Sequence, residues 1–222
     1  MHRTLEPELM EDVEQARAYH AADFSGSHNR RVDVFKELTM PGHQQGRFLD
    51  IGCGSGDLLF RFLAALPEVS ILGIDGSQAM IELAREVADQ KPEFKGRVSF
   101  LVEYIPTNDI PRLQYSTLMS NGFLHHLHDP QHLWNTIKEL ATPETFIFVS
   151  DLRRPTSVED ARRIVEERTA NEPAILKRDF FNSLCAAFEP QEIQEQIDRA
   201  GISGLKIALL DEIHLVVCGF LK

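Results

Sequence analysis

Nine consecutive residues, Phe48-Leu49-Asp50-Ile51-Gly52-Cys53-Gly54-Ser55-Gly56, carry three glycines within five positions and are followed at once by Asp57. Glycine lacks a Cβ, so its backbone approaches a ligand closely and accepts positive φ without steric cost. The apolar run before the glycines reads as a short buried strand and the apolar run after them as a helix. In open α/β sheets, ligands bind just outside the carboxyl ends of the strands. A dinucleotide fingerprint would be spaced G-x-G-x-x-G, with a pyrophosphate on the following helix N-terminus. Here the third glycine comes one place early, and Asp57 fills the slot that fingerprint reserves for glycine. Carboxylates at 50 and 57 then flank the loop. Negative charge there opposes a pyrophosphate and suits a cationic ligand that bears an amino acid.

The elements that must position this loop follow from periodicity. Strand-like runs at residues 47–52, 69–75, 98–102, 115–120 and 145–151 alternate with helical patterns at 57–66, 77–89 and 130–140. That alternation implies parallel strands joined by right-handed crossovers, hence a doubly wound α/β sheet. Residues 205–210 and 213–221 are two more strands only a turn apart, which can pair only as an antiparallel hairpin. The expected fold is a mostly parallel seven-stranded sheet closed by that hairpin. Residues 1–44 form an N-terminal helical segment, with helices over 8–19 (Pro7 suited to the first turn) and 29–38. Residues 45–222 form the main domain. Helical patterns at 159–169 and 178–188 fall between strands and read as a cap, at about 153–189, over the carboxyl edge of the sheet or as an added packing layer.

The glycine loop resembles the first motif of the class I, Rossmann-like, S-adenosylmethionine-dependent methyltransferases, and the resemblance continues through residues 45–151 and 190–222. Asp75, ending Leu72-Gly73-Ile74-Asp75-Gly76, matches that family's acidic residue on the ribose hydroxyls, where a carboxylate accepts two hydrogen bonds from a vicinal diol. The resemblance implies S-adenosylmethionine as cofactor, held by Asp50, Gly52, Gly54, Gly56, Asp75 and Gly76. Gln78 or Met80 would lie near the adenine, and either Glu103 or Tyr104 occupies the slot that meets its amino group. Residues 121–130, Asn-Gly-Phe-Leu-His-His-Leu-His-Asp-Pro, look like the loop lining the methyl-transfer cleft, with Asn121 at the cofactor. His125 or His126 would face the cleft as a general base, since a neutral imidazole accepts a proton near pH 7. Asp151 would orient the acceptor or hydrogen-bond the loop. Tyr19 belongs to a segment that in similar enzymes folds over the cofactor; core packing is its other reading. Phe180, Phe181 and Phe188 suggest a small acceptor of apolar or aromatic character. Methyl transfer from a sulfonium is an in-line displacement, so holding the acceptor in line and excluding water suffice unless it must lose a proton. An enzyme using S-adenosylmethionine for other chemistry, an NAD-binding oxidoreductase and a non-catalytic cofactor-binding module are the competing readings.

Composition narrows the partners. A net charge of −11 opposes nucleic acid, and Arg30-Arg31, Arg153-Arg154 and Arg162-Arg163 are pairs that read as solvated surface. His128 and His132 are spaced i, i+4, yet no cysteine completes a ligand set and Asp129-Pro130 reads as a helix start, so no metal is expected. The three cysteines lack C-x-x-C spacing, and Cys53 reads as a small space-filling residue. No apolar run reaches a membrane-spanning length, and residues 1–19 are charged without an apolar core, so a cytoplasmic setting is expected.

Overall fold

Short β-rich runs bounded by glycine and by amphipathic helices leave the chain little choice but to stack helices on both faces of one sheet. A computed structural model of the chain, describing residues 1–7 and 11–222, has this architecture. In chain order the elements are α1 (Val13–Ala21), α2 (Ser25–Leu38), β1 (Gly46–Ile51), α3 (Asp57–Ala65), β2 (Val69–Asp75), α4 (Gln78–Asp89), β3 (Val98–Val102) and β4 (Thr117–Asn121). There follow α5 (Gln131–Leu140), β5 (Phe146–Leu152), α6 (Val158–Arg168), α7 (Ala174–Ala186), α8 (Pro190–Arg199), β6 (Leu205–Leu209) and β7 (His214–Phe220). The strand order is β3-β2-β1-β4-β5-β7-β6. Strands β1 to β5 are parallel, and β7 runs antiparallel to both β5 and β6. The order reverses between β1 and β4, and a reversal of this kind opens a crevice at the strands' carboxyl ends.

One face of the sheet packs on Val32 and Phe35 of α2, Leu59 and Phe62 of α3 and Ile81 of α4. The other packs on Leu133, Trp134 and Ile137 of α5 and Ile193 and Ile197 of α8. Strand β5 is buried along its whole length, as a central strand covered on both faces must be. Because successive side chains alternate faces, Ser150 points toward α2 while Asp151 points the other way. Helices α6 and α7 enclose a smaller cluster with Ile164, Val165 and Leu184 at its centre.

Three local expectations shift. Helix α1 begins at Val13, capped by Asp12, whose carboxylate accepts the Gln15 amide at 2.8 Å, so Pro7 lies outside its first turn. Positions 8–10 of the expected helix lie outside the described residues. Helix α2 starts one turn earlier than the apolar spacing implied. Strand β4 starts at Thr117, because the Tyr115 hydroxyl turns back to donate to the Pro111 carbonyl at 2.7 Å. Among the described residues, no helix is long and apolar enough to cross a membrane.

Candidate active site

Three glycines after β1 take positive φ: Gly52 at 75°, Gly54 at 54° and Gly56 at 82°. The amides of Gly52 and Cys53 both donate to the Ile74 carbonyl, at 2.8 and 3.0 Å, which folds the bend back over β2. At Gly52 a Cβ would stand 2.2 Å from the Phe123 ring, so only glycine leaves that ring its place. Asp75 fixes the bend from the next strand. One carboxylate oxygen accepts the Gly54 amide at 2.9 Å and the other accepts the Ser77 amide at 2.8 Å. Each oxygen keeps a lone pair for a further donor. Burial raises the Asp75 pKa, and these two amides oppose the rise.

Asp50 is 3% exposed, and its Oδ1 has no hydrogen-bond partner. Burial, and then the nearby Asp75, push its pKa up to about 8. At the end of β4, the Asn121 amide nitrogen and oxygen are both buried and also lack partners. Unpaired buried polar groups are costly, and such sites call for a completing ligand. A cleft of about 420 Å³, part of it open to solvent, lies at the carboxyl end of β1 and β2; Ile51, Gly52, Asp75, Gly76, Tyr104 and Phe123 are among its lining residues. Glu103 lines it too, so both candidates for the adenine slot face the same space. Met80 is buried in α4 and is not part of that lining. Burial lifts the Cys53 thiol well above its usual range, and its sulfur lies 2.8 Å from where a Cβ at Gly73 would be, which fits a space-filling residue.

Asp57 corrects the charge reading of the loop. Its carboxylate is bonded to His28 Nδ1 at 2.6 Å and to Arg61 Nε at 2.9 Å, and the His28 bond is the largest cause of its depressed pKa. Its charge therefore docks α2 onto α3 and is not free for a ligand. His20 of α1 similarly meets Ser55 Oγ at 3.0 Å. Tyr19 is half-buried with its ring 4.8 Å from Phe24. Burial raises its pKa against the pull of Arg31, with Asp57, Asp151 and Asp75 adding to the rise.

The second polar cluster lies beyond β4 and β5. His125 sits in a 3-10 turn, Leu124–His126, with its Nδ1 2.5 Å from Asp151 Oδ1. Asp151 also accepts the Leu152 amide at 2.6 Å. Burial alone would lower the His125 pKa, but Asp151 and Glu6 outweigh it and the net shift is upward. Burial and the adjacent His125 bring His126 down to about 3. Phe123 and Leu127 of the same loop are among the residues lining the cleft. The two imidazoles turn to residues 1–7. Arg3 of this strap donates to the carbonyls of Ala186, His125 and Leu127 and stacks 3.9 Å over the Phe188 ring. Phe188 thus belongs to the sheet core, while Phe180 and Phe181 pack half-buried on the α6–α7 cluster.

Sequence reasoning missed Arg3, Glu6 and Arg31. Arg31 is 8% exposed, with Nε donating to Ser150 Oγ at 3.1 Å. Its i, i+4 spacing from the buried Phe35, with Val32 and Val34 beside it, places it on the buried side of α2 despite its membership of an arginine pair. Arg154, 6% exposed, is likewise buried, paired to Glu192 at 2.8 Å. For Arg3 and Glu6, nothing local in the sequence announces the contacts.

A sheet of this order, with a glycine bend after β1 and an acid ending β2, is a Rossmann-like arrangement. A family model described as a methyltransferase domain matches residues 49–147. An S-adenosylmethionine-dependent methyltransferase from Aquifex aeolicus superposes with a TM-score of 0.68 at 16% identity, covering 94% of this chain and 98% of that one. The plantazolicin methyltransferase in complex with SAH superposes with a TM-score of 0.63 at 14% identity, covering 95% of each. In sequence, the mitochondrial ubiquinone biosynthesis O-methyltransferase of Schizosaccharomyces pombe is 23% identical over 80% of this chain and 70% of its own length. A ubiquinone/menaquinone biosynthesis C-methyltransferase of Geotalea uraniireducens is 40% identical over 29% of this chain and 28% of its own length. The chain thus carries a methyltransferase domain over residues 49–147 and has the fold of S-adenosylmethionine-dependent methyltransferases.

Proposed function

We propose that this enzyme methylates a small, apolar or aromatic acceptor, with the cofactor gripped at the β1–β2 end of the cleft and the acceptor handled at the β4–β5 end. Bound S-adenosylmethionine supplies a methyl group on a positively charged sulfur. Asp75 takes the ribose diol on the two lone pairs its backbone contacts leave. Gly52, Gly54, Gly56 and Gly76 let the backbone close on the nucleoside, while Glu103 and Tyr104 border the adenine, with Met80 packed in the adjoining helix. Asp50 and Asn121 meet the methionine portion, and Tyr19 and Arg31 lie toward its carboxylate. The observation that carries this reading is the pair of unpartnered, buried side-chain groups at 50 and 121 near a glycine-rich bend.

His125, His126 and Asp151 are the groups that handle the acceptor and its proton. The N-terminal segment, residues 1–44, and the cap, about 153–189, set acceptor choice around the 45–222 domain. Two relatives named for ubiquinone or menaquinone biosynthesis support a ring acceptor, and the charge of −11 disfavours RNA. The free cysteines at 53, 185 and 218 suit a reducing, cytoplasmic setting. Incubating the protein and S-adenosylmethionine with catechols, quinols, aliphatic acids, RNA and protein, and following S-adenosylhomocysteine by mass spectrometry, tests the acceptor. Product with the ring compounds is expected; product only with RNA or protein would contradict the reading.

A further inference from the structure

Glu6 brings a carboxylate from a distant part of the chain against two imidazoles. Its side chain is 8% exposed, and its Oε1 is buried with no hydrogen-bond partner. That oxygen stands 3.5 Å from His125 Nε2 and 3.3 Å from His126 Nδ1, and His126 Nδ1 is itself buried and unpartnered. All three ligand atoms lie within 4.8 Å of one another. The other carboxylate oxygen is held by the Ser183 hydroxyl at 3.2 Å, and Arg3 pins the strap and the histidine turn together. With Nδ1–H of His125 donating to Asp151, the lone pair of Nε2 faces the Glu6 oxygen. Two electron-rich atoms facing each other in a buried place are stabilised by a positive centre between them, a proton or a metal ion. A proton on Nε2 would answer this with a hydrogen bond, but 3.5 Å is beyond the usual 2.7–3.2 Å range for such a bond.

We propose that Glu6, His125 and His126 form a binding site for a divalent transition-metal ion of the zinc class, with Asp151 orienting His125 from behind. Metal–nitrogen and metal–oxygen bonds of about 2.0–2.2 Å set the ligands of a tetrahedral ion about 3.3–3.6 Å apart. The two Glu6 edges match that spacing, and the third edge, between the two imidazoles, lies within 4.8 Å. A carboxylate on the far nitrogen of a ligating histidine is the usual way its ring is aimed. Three protein ligands leave a fourth position for water or an acceptor oxygen, as in catalytic rather than structural sites. Sequence reasoning looked for partners near His128 and His132; the third ligand comes instead from residue 6.

Metal binding is measurable without cofactor or acceptor, so its outcome is separate from that of the acceptor reading. Full-length protein, stripped with a chelator, is titrated with Zn²⁺ by calorimetry and with Co²⁺ by visible absorption. The expected result is one equivalent bound, with the d–d bands of a four-coordinate Co²⁺ ion. Glu6→Gln and His126→Ala should weaken binding at least 100-fold, and Asp151→Asn by about 10–100-fold. His43→Ala, remote from the cluster, should leave it unchanged. Melting curves and S-adenosylhomocysteine binding identify variants that remain folded. Absence of stoichiometric binding, or unchanged affinity in folded Glu6→Gln and His126→Ala proteins, would overturn the site.

Discussion

The glycine bend after β1 and the histidine turn after β4 both lie at the carboxyl edge of the sheet, yet they are assembled in opposite ways. The bend is made from one continuous stretch, and its backbone is fixed mainly by the adjoining strand β2: Gly54 and Ser77 bond to Asp75, Gly52 and Cys53 to Ile74. The histidine turn draws on four segments, with Asp151 from β5, Glu6 and Arg3 from the strap and Ala186 at the end of α7. The first arrangement is backbone geometry, which any sequence with glycine at the right places reproduces. The second is side-chain chemistry that exists only once distant segments have packed. A common cofactor with a variable acceptor is served by this division.

The comparison can be broken most severely at Asp75. Asp75→Asn removes a charged acceptor of two hydrogen bonds and unsettles the Gly54 contact. Charge-assisted bonds of this kind are worth ~1.5–3 kcal/mol, so S-adenosylhomocysteine affinity should fall by roughly 10–100-fold in calorimetry. On the other side, Arg3→Ala should lower stability by ~2 kcal/mol, from lost carbonyl contacts and lost stacking on Phe188. It should leave cofactor affinity near wild type, because the strap touches the histidine turn rather than the bend. Denaturant melts beside calorimetry separate the two effects, and a large loss of affinity would show the two regions to be one unit. The smallest effect is expected at Asp57. Its partly exposed pairs with His28 and Arg61 contribute about 1 kcal/mol or less. Asp57→Asn should therefore cost little stability and change cofactor affinity less than twofold.

Legibility follows the same division. Strands β2 and β3 fall at the residues their apolar patterning indicated, and the final hairpin follows from two strands a turn apart. Asp75 was singled out through the family resemblance; its hold on the Gly54 and Ser77 amides depends on how the bend folds back over β2. Asp57 misled because sequence registers a charge and not its engagement by His28, 29 positions away, beside the ion pair with Arg61. The turn that carries His125 was legible, but the direction of its ring depends on a strap more than a hundred residues earlier. Arg31 was recoverable from helical spacing alone, had the stripe been weighed above the arginine pair.

Asp50 offers the most direct test of the cofactor site. Its carboxyl is held near pKa 8 by burial and by Asp75, against an ordinary value of 3.8. Between those values the folded protein binds more protons than the unfolded chain, so this group's contribution to stability declines as pH rises from about 4 to 8. A cationic ligand favours the ionised form, lowers this pKa and expels the proton. Calorimetry of S-adenosylmethionine binding at pH 7, in buffers of different ionisation enthalpy, should register release of close to one proton, with affinity rising toward pH 8. In Asp50→Asn that release should vanish and affinity should fall. No association, or binding with the same proton release in Asp50→Asn, would contradict a buried acid at the end of β1 receiving the positive charge of the cofactor.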